Sequence, residues 1–496
     1  CSRTQMKKPI LRYAVITIVL AGAISIFAWY WMMKREVPAH ARVIPSNVIA
    51  VMTLNVRELA KDHTMEEIDF AETTFQDAFF APFIRVIESS EGETGVNELS
   101  DVLAFTYHTD DAAFIGAAVA VEDSAAFGNL IRQHLAREFN ILALSHDGIP
   151  VFQFDTTAAA FGWTEDVAVL LYPLGDHTIA TVSAQCLKLL KQQKENSVLA
   201  NENFCNMQLK SFAAGLWVQT APLLLLTEGG PLIEAIAQDV VAYSYTANFE
   251  DGEILIQSEW LLADDNKREM IREFEFPCDT TLMISFVRGH FNTKTTSLPE
   301  HSFADLAILN LPIAEEEYPT LFSGMTGDFI SITNVDNGAA KRFETHSFLL
   351  SDPEKTKSFI TSSMQRDSIP LTVKGWMYSA AGDSAWRMIL DGNRLTITNH
   401  SDVDGRPHPI TPDLAGYMAW VNFHNYATSH GAGSSLFPLL NTGTPLLDEY
   451  LLNVSSTLPV QFGNVRHSEI VVRFKNKNVN ALVQTETILN KSLGGN

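Results

Sequence analysis

The sequence predicts an α+β protein: an N-terminal transmembrane helix followed by two related halves of antiparallel sheet with packed helices. Three observations carry this. The run Ala14–Met33 holds 20 residues without a charge. Five short strand-and-turn patterns recur in the same order in the two halves. Strands and helices do not alternate strictly, as a parallel sheet would require.

The first element is the apolar run. A helix of this length rises about 30 Å, enough to cross a hydrocarbon core. Arg3, Lys7, Lys8 and Arg12 precede it, and Trp29, Tyr30 and Trp31 sit near its far end, where amphipathic rings favour the interface. The rival is a cleaved signal peptide, for Ala39-His40-Ala41 has the small-x-small form of a cleavage site. The run exceeds the usual length of roughly 7–15 residues, and Lys34 and Arg35 separate it from that site, so the expectation is an uncleaved single-pass anchor. Met6-Lys7-Lys8 reads as a natural start, with Cys1 as extension or, less simply, a lipid-modified residue. The body is expected outside the cytoplasm, in a bacterial periplasm if the cell is bacterial.

The halves follow. Ile44-Pro45-Ser46-Asn47 leads into the strand-like Val48–Val56, and Phe276-Pro277-Cys278-Asp279 into Thr280–Val287. Ala117–Val121 stops at Glu122-Asp123-Ser124 before a helical stripe of Phe127, Leu130, Ile131 and Leu135. Ser347–Leu350 stops at Ser351-Asp352-Pro353, an N-cap followed by proline at N1, before Phe359, Ile360 and Met364. Leu174-Gly175-Asp176-His177 before Thr178–Val182 matches Asp391-Gly392-Asn393-Arg394 before Leu395–Thr398, each read as a hairpin. Ala214-Gly215 precedes Leu216–Gln219 as Ala415-Gly416 precedes Tyr417–Asn422. Glu253–Ile256 matches Glu469–Val472. The polar stretch Asp264–Arg268 marks the boundary, giving 1–36 as basic flank and anchor, 37–265 as first half and 266–496 as second half, an internal duplication. The halves differ at one place: a helical stretch, Gln185–Gln208, stands where the second half has the polar loop Asn399–Pro407. Phe70, Phe75, Phe79, Phe83 and Ile87 form one further helical stripe, read as core-facing.

Composition bounds the function. The chain has 496 residues, room for several domains, and 46% are hydrophobic, which excludes a disordered class. Asp and Glu number 58 against 35 Lys and Arg, a net charge of −23 that argues against a nucleic-acid partner. No phosphate-binding loop, zinc helix, nucleophile elbow or Ser-x-x-Lys pair is present. Asp402, Asp404 and Gly405 imitate the front of a calcium loop, but no bidentate Glu follows, so an acidic turn is the simpler reading. His400, His408, His424 and His430 lack metal-ligand spacing. No metal and no cofactor is therefore expected. Cys186 and Cys205 could form a disulfide in an oxidising compartment, or remain buried thiols. Asp110-Asp111 and Glu315-Glu316-Glu317 read as solvated acidic runs.

The proline-led first strand ending in Asn55-Val56-Arg57-Glu58-Leu59, with the anchor and the paired halves, resembles uncharacterised cell-envelope proteins of Bacteroidota, a domain of unknown function. That resemblance implies a bacterial envelope setting and supplies no catalytic residues. The functional expectation is a membrane-anchored, non-catalytic binding or assembly scaffold with an envelope protein partner. A hydrolase with its site between the halves, or a carrier of lipid or another small ligand, are the alternatives.

Overall fold

The computed structural model describes residues 35–61, 94–97, 100–109, 112–132, 141–146, 148–154, 159–174, 179–226, 240–263, 283–290, 313, 317–336, 339–372, 375–379, 385–399, 417–422 and 449–493. Two compact units divide the chain, one taking in Glu93–Phe212 and the other Ala213–Asn496, with the first strand, β1 (Val48–Leu54), shared between them.

The expected α+β class gives way to a mostly antiparallel sheet protein, 51% strand against 29% helix. The physical reason lies in runs such as Ile141–His146, Ile149–Phe154 and Ala160–Trp163, which pair as a meander, while the helices stay short. The transmembrane expectation is corrected too. Among the described residues no helix is long and apolar enough to cross a membrane. The longest, Pro353–Arg366, has 14 residues and a polar face, where a span needs about 20 apolar ones. Ala14–Met33 lies outside the described residues, as do the Phe70–Ile87 stripe and the Asp264–Arg268 boundary.

The first unit carries β2 (Val102–His108), β3 (Ala113–Ala120), β4 (Ile141–His146), β5 (Ile149–Phe154), β6 (Ala160–Trp163) and β7 (Val167–Leu174). They pair in the order β2-β3-β7-β6-β5-β4. Its helices are α1 (Val56–Lys61), α2 (Ser124–Leu130), α3 (Ile179–Leu190) and α4 (Glu202–Gln208). Asp123 caps α2, accepting from the Ala125 and Ala126 N–H groups at 2.9 and 3.0 Å. One sheet face packs on α2, where Phe127 meets Trp163 edge-on at 5.6 Å. The opposite face packs on α3. Val182, Cys186, Leu189 and Leu190, spaced at i, i+4, i+7 and i+8, are all buried. This spacing corrects the hairpin read at Thr178–Val182: the β-branched start is overridden by a helical stripe that continues beyond it.

The second unit carries β8 (Ala214–Gln219), β9 (Val240–Glu250), β10 (Glu253–Leu262), β11 (Met283–His290), β12 (Met325–Asp336), β13 (Ala339–Leu350), β14 (Leu371–Thr372), β15 (Gly375–Ser379), β16 (Ala385–Asp391), β17 (Arg394–Thr398), β18 (Tyr417–Asn422), β19 (Leu451–Thr457), β20 (Val460–Phe462) and β21 (Val465–Phe474). Its helices are α5 (Thr220–Leu226), α6 (Tyr318–Phe322), α7 (Pro353–Arg366) and α8 (Ala481–Leu493). Asp352 caps α7 through the Lys355 N–H at 3.0 Å, with Pro353 behind it. Ile360 and Met364 of α7 enter a core of Phe348, Leu395, Ile397, Met388 and Trp386.

The pairing order β12-β13-β17-β16-β15-β14 repeats that of β2-β3-β7-β6-β5-β4. Likewise β18-β19-β21 repeats β8-β9-β10. The closing strands of the two series, β10 and β21, pair with each other antiparallel, with Gln257 opposite Glu469. Their hairpins turn at Asp251-Gly252 and at Gly463-Asn464, so Gly252 and Asn464 hold equivalent places. Two hydrogen bonds obey that equivalence: Leu262 N–H donates to Asn464 O at 2.7 Å, and Phe474 N–H to Gly252 O at 2.8 Å. The hairpin register thus sets Glu253 against Val465, four positions from the sequence match with Glu469.

Candidate functional site

Cross-strand register makes the two sheets comparable residue by residue. In the first unit one row runs Leu103, Ala118, Val169, Gly162, and the next Phe105, Gly116, Leu171, Ala160, Gln153. In the second unit the same places hold Ile330, Ser347, Thr396, Ile389 and Ile332, Thr345, Thr398, Arg387, Met377. A third row replaces Ala120 and Val167 with Leu349 and Arg394. Side chains directly opposite one another share a face, so these residues form one surface in each sheet. The first is apolar but for Gln153, and its β5, β6 and β7 strands lie under α3. The second carries hydroxyls and guanidinium groups.

This polar surface is buried. Ser347, Thr396 and Thr398 are each at most 1% exposed, Thr345 and Arg394 5%, and Arg387 9%. Thr345 and Thr398 hydroxyls meet at 2.9 Å, and those of Ser347 and Thr396 at 3.1 Å. Thr398 donates to Glu344 O at 3.0 Å, which leaves Thr345 as the donor of its pair. Arg394 Nη2 lies 3.5 Å from the Asp391 carboxylate. Arg288, also fully buried, shares the face through its pairing with Ile330, beside Asp328 on β12.

The surface opens at β15. In the first unit Gln153 is 1% exposed, and Ser183 of α3 donates to its side-chain oxygen at 3.2 Å. Its equivalent, Met377, is 39% exposed. The chain position of α3 corresponds to the residues between Thr398 and Tyr417, of which only Asn399 is described.

A Ser-His-Glu arrangement lies on the other face. Ser331 Oγ is 3.0 Å from His346 Nδ1, and His346 Nε2 is 3.6 Å from Glu344 Oε2, with Trp386 stacked on the imidazole. Ser331 and His346 are buried, 6% and 4% exposed. Ser331 sits between Val287 and His346 in two ladders, so its backbone N–H is no spare oxyanion donor. That geometry makes a core hydrogen bond rather than a nucleophile.

Of the residues singled out from sequence, Cys186 and Cys205 are free thiols. Cys186 points at Val169 O, 3.9 Å away, and Cys205 at Leu199 O, 3.5 Å away. Burial pushes the Cys186 thiol up to about 12, away from the reactive thiolate. Asp402, Asp404, the four histidines of that region, Asp110-Asp111, Glu315 and Glu316 lie outside the described residues. Glu317 accepts a two-pronged contact from Arg366 at 2.7 and 2.8 Å. Among the described residues no cluster of three His, Cys, Asp or Glu could hold a metal. His40, in the small-x-small stretch Ala39-His40-Ala41, is buried in a 3-10 turn with Ala41.

No family model matches the chain, and no curated protein matches it. Solved structures that match include three crystal forms of TP0453. Crystal form III is 12% identical, covering 47% of this chain and 83% of that one at a TM-score of 0.27. Form IV is 12% identical, covering 45% and 81% at 0.27, and form I 10%, covering 47% and 81% at 0.29. At these scores the likeness assigns no fold and no function.

Arg387, Arg394 and the hydroxyl rows escape a motif search because they follow no spacing rule. One signal existed. Arg394-Leu395-Thr396-Ile397-Thr398 alternates polar and apolar, whereas its equivalent, Val167–Leu171, is apolar on both faces. Matching the hairpin at Asp391-Gly392 to Leu174-Gly175 instead of to Thr164–Asp166 hid that contrast.

Proposed function

We propose that the chain is a non-catalytic binding or assembly scaffold, built from a duplicated strand series whose second member has turned one sheet face into a recognition surface. One observation carries this reading: six places that are small or apolar in one sheet hold Thr345, Ser347, Arg387, Arg394, Thr396 and Thr398 in the other. A face that served only to pack would keep the apolar set, since burying a guanidinium costs desolvation even when it is paired.

The test is cross-linking in cells from a photo-reactive residue at Met377, on the open margin of the surface, against the same residue at the exposed Ser362 on α7. The reading expects a discrete partner adduct from position 377 only. Adducts that contain only this chain, or equal yields from both positions, would count against it.

A further inference from the structure

We propose that β4 (Ile141–His146) docks a second copy of this chain, the two β4 strands pairing antiparallel about Ala143. β4 ends the strand order of the first sheet, and among the described residues its ladder is with β5 alone. Ala143, midway along it, is exposed. This margin belongs to the first sheet and is independent of the polar face of the second.

The turn fixes which backbone groups point outward. Gly148 has φ of +81°, as the two-residue turn Asp147-Gly148 requires, so His146 and Ile149 close the hairpin as a hydrogen-bonded pair. Alternate pairs follow suit: Leu144 with Val151 and Leu142 with Gln153 exchange bonds across the β4–β5 ladder. Ser145, Ala143 and Ile141 fall at the non-bonded places and direct their N–H and C=O groups away from β5. Pro150 opposite Ser145 agrees, because a proline at a bonded place would leave that ladder short of a donor. Three donors and three acceptors therefore line the outer margin of β4.

The equivalent margin of the second sheet is blunted. β14 has two residues, Leu371 and Thr372, opposite Trp376 and Gly375. One step further along that register puts Pro370 opposite Met377, the place that Leu142 holds opposite Gln153. That place is a bonded one, proline has no N–H to give, and the strand stops. β4 carries no proline, lysine or bulge, the devices by which sheets refuse a new strand.

A second copy satisfies this margin completely. Antiparallel pairing centred on Ala143 sets Ile141 against Ser145 of the second copy and Ala143 against itself. All the outward groups are then met, whereas a slip to either side leaves some without a partner. Charge permits the approach. The chain carries −23 overall, yet between Ile141 and Phe154 the sole Lys, Arg, Asp or Glu is Asp147, in the turn. Two acidic copies can meet here without setting acid against acid. The contact is isologous, so it closes at two copies.

Sedimentation velocity of the whole protein over a concentration series tests this. The expected result is a monomer–dimer equilibrium. Ala143→Lys and Ala143→Glu, at an exposed position, should each weaken the dimer at least about tenfold by meeting a like charge at the axis, with circular dichroism unchanged. Mixing the two variants should restore the dimer, which a folding defect could not do. A wild type that stays monomeric, or a dimer that persists in both variants, overturns the proposal. So does a photo-reactive residue at position 143 whose adducts in cells contain only other proteins, which would give the margin to a foreign strand.

Discussion

Gln257 and Glu469 stand opposite each other in the β10–β21 ladder, and each holds the place in its own hairpin that the other holds in the second. The relation is two-fold in backbone and not in chemistry. Glu253 faces Arg473 with an ion pair at 3.4 Å, while the equivalent pairing sets Leu261 against Val465.

The two hairpin turns predict unequal responses to one substitution. Gly252 has φ of +72°, and a Cβ there would lie 2.6 Å from Lys477 Cα. Gly463 has φ of +59° with open space around it. Both glycines relieve left-handed backbone, but only the first accommodates a neighbouring segment. Gly252→Ala should raise hydrogen exchange across 474–493, and Gly463→Ala should leave that region unchanged.

Phe105 and Gly116 form a size-matched pair. A Cβ on Gly116 would lie 2.3 Å from Phe105 Cζ, whereas the equivalent places in the second sheet hold Ile332 and Thr345. Gly116→Thr should destabilise by about 2 kcal/mol or more through overpacking. Adding Phe105→Ile should recover at least about 1 kcal/mol of it, read as coupling in a double-mutant cycle of urea midpoints.

Arg35 and Asp101 form a partly buried ion pair at 2.8 Å, each side chain 12% exposed. The guanidinium also donates to Phe212 O and Gln208 Oε1, and lies 3.8 Å over the Phe212 ring. Burial drives Asp101 upward and Arg35 downward despite their mutual attraction. Arg35→Ala would strand the carboxylate, at a cost of about 3–5 kcal/mol. Exchanging both residues for apolar ones should cost less than Arg35→Ala alone, measured by denaturant midpoint.

His40 is held down to about 4 from its ordinary value of 6.5, chiefly by burial. The unfolded chain therefore binds a proton that the folded chain refuses between those values, so stability falls as pH drops from 6.5 toward 4. The full difference is about 3 kcal/mol. An NMR titration should show this imidazole neutral at pH 5. His40→Gln should flatten the slope of stability against pH between 6.5 and 4.

Much of the framework was readable residue by residue. Asp123 and Asp352 announce their helices because capping is local chemistry, and Ile44-Pro45 leads into β1 through a rigid turn. Strand content was underestimated because β4, β5 and β6 are short and pair with one another as a meander without a clean alternation to mark them. No alternation within Ile149–Phe154 reveals that Gln153 is held by Ser183. The candidate surface was less legible for the same reason. Thr396 looks like the outward side of a half-solvated strand, and only the three-dimensional register shows it buried beside Arg394.

Lateral pairing of β10 with β21 closes the margin at which each strand series would otherwise end. Bare margins recruit foreign strands and seed insoluble assemblies. A chain ending after Leu262 keeps β10 without its cover, and one beginning after it keeps β21 in the same condition. Neither piece is therefore a smaller working version of the whole: each should come out of solution when made alone, and remain dissolved when the two are produced together.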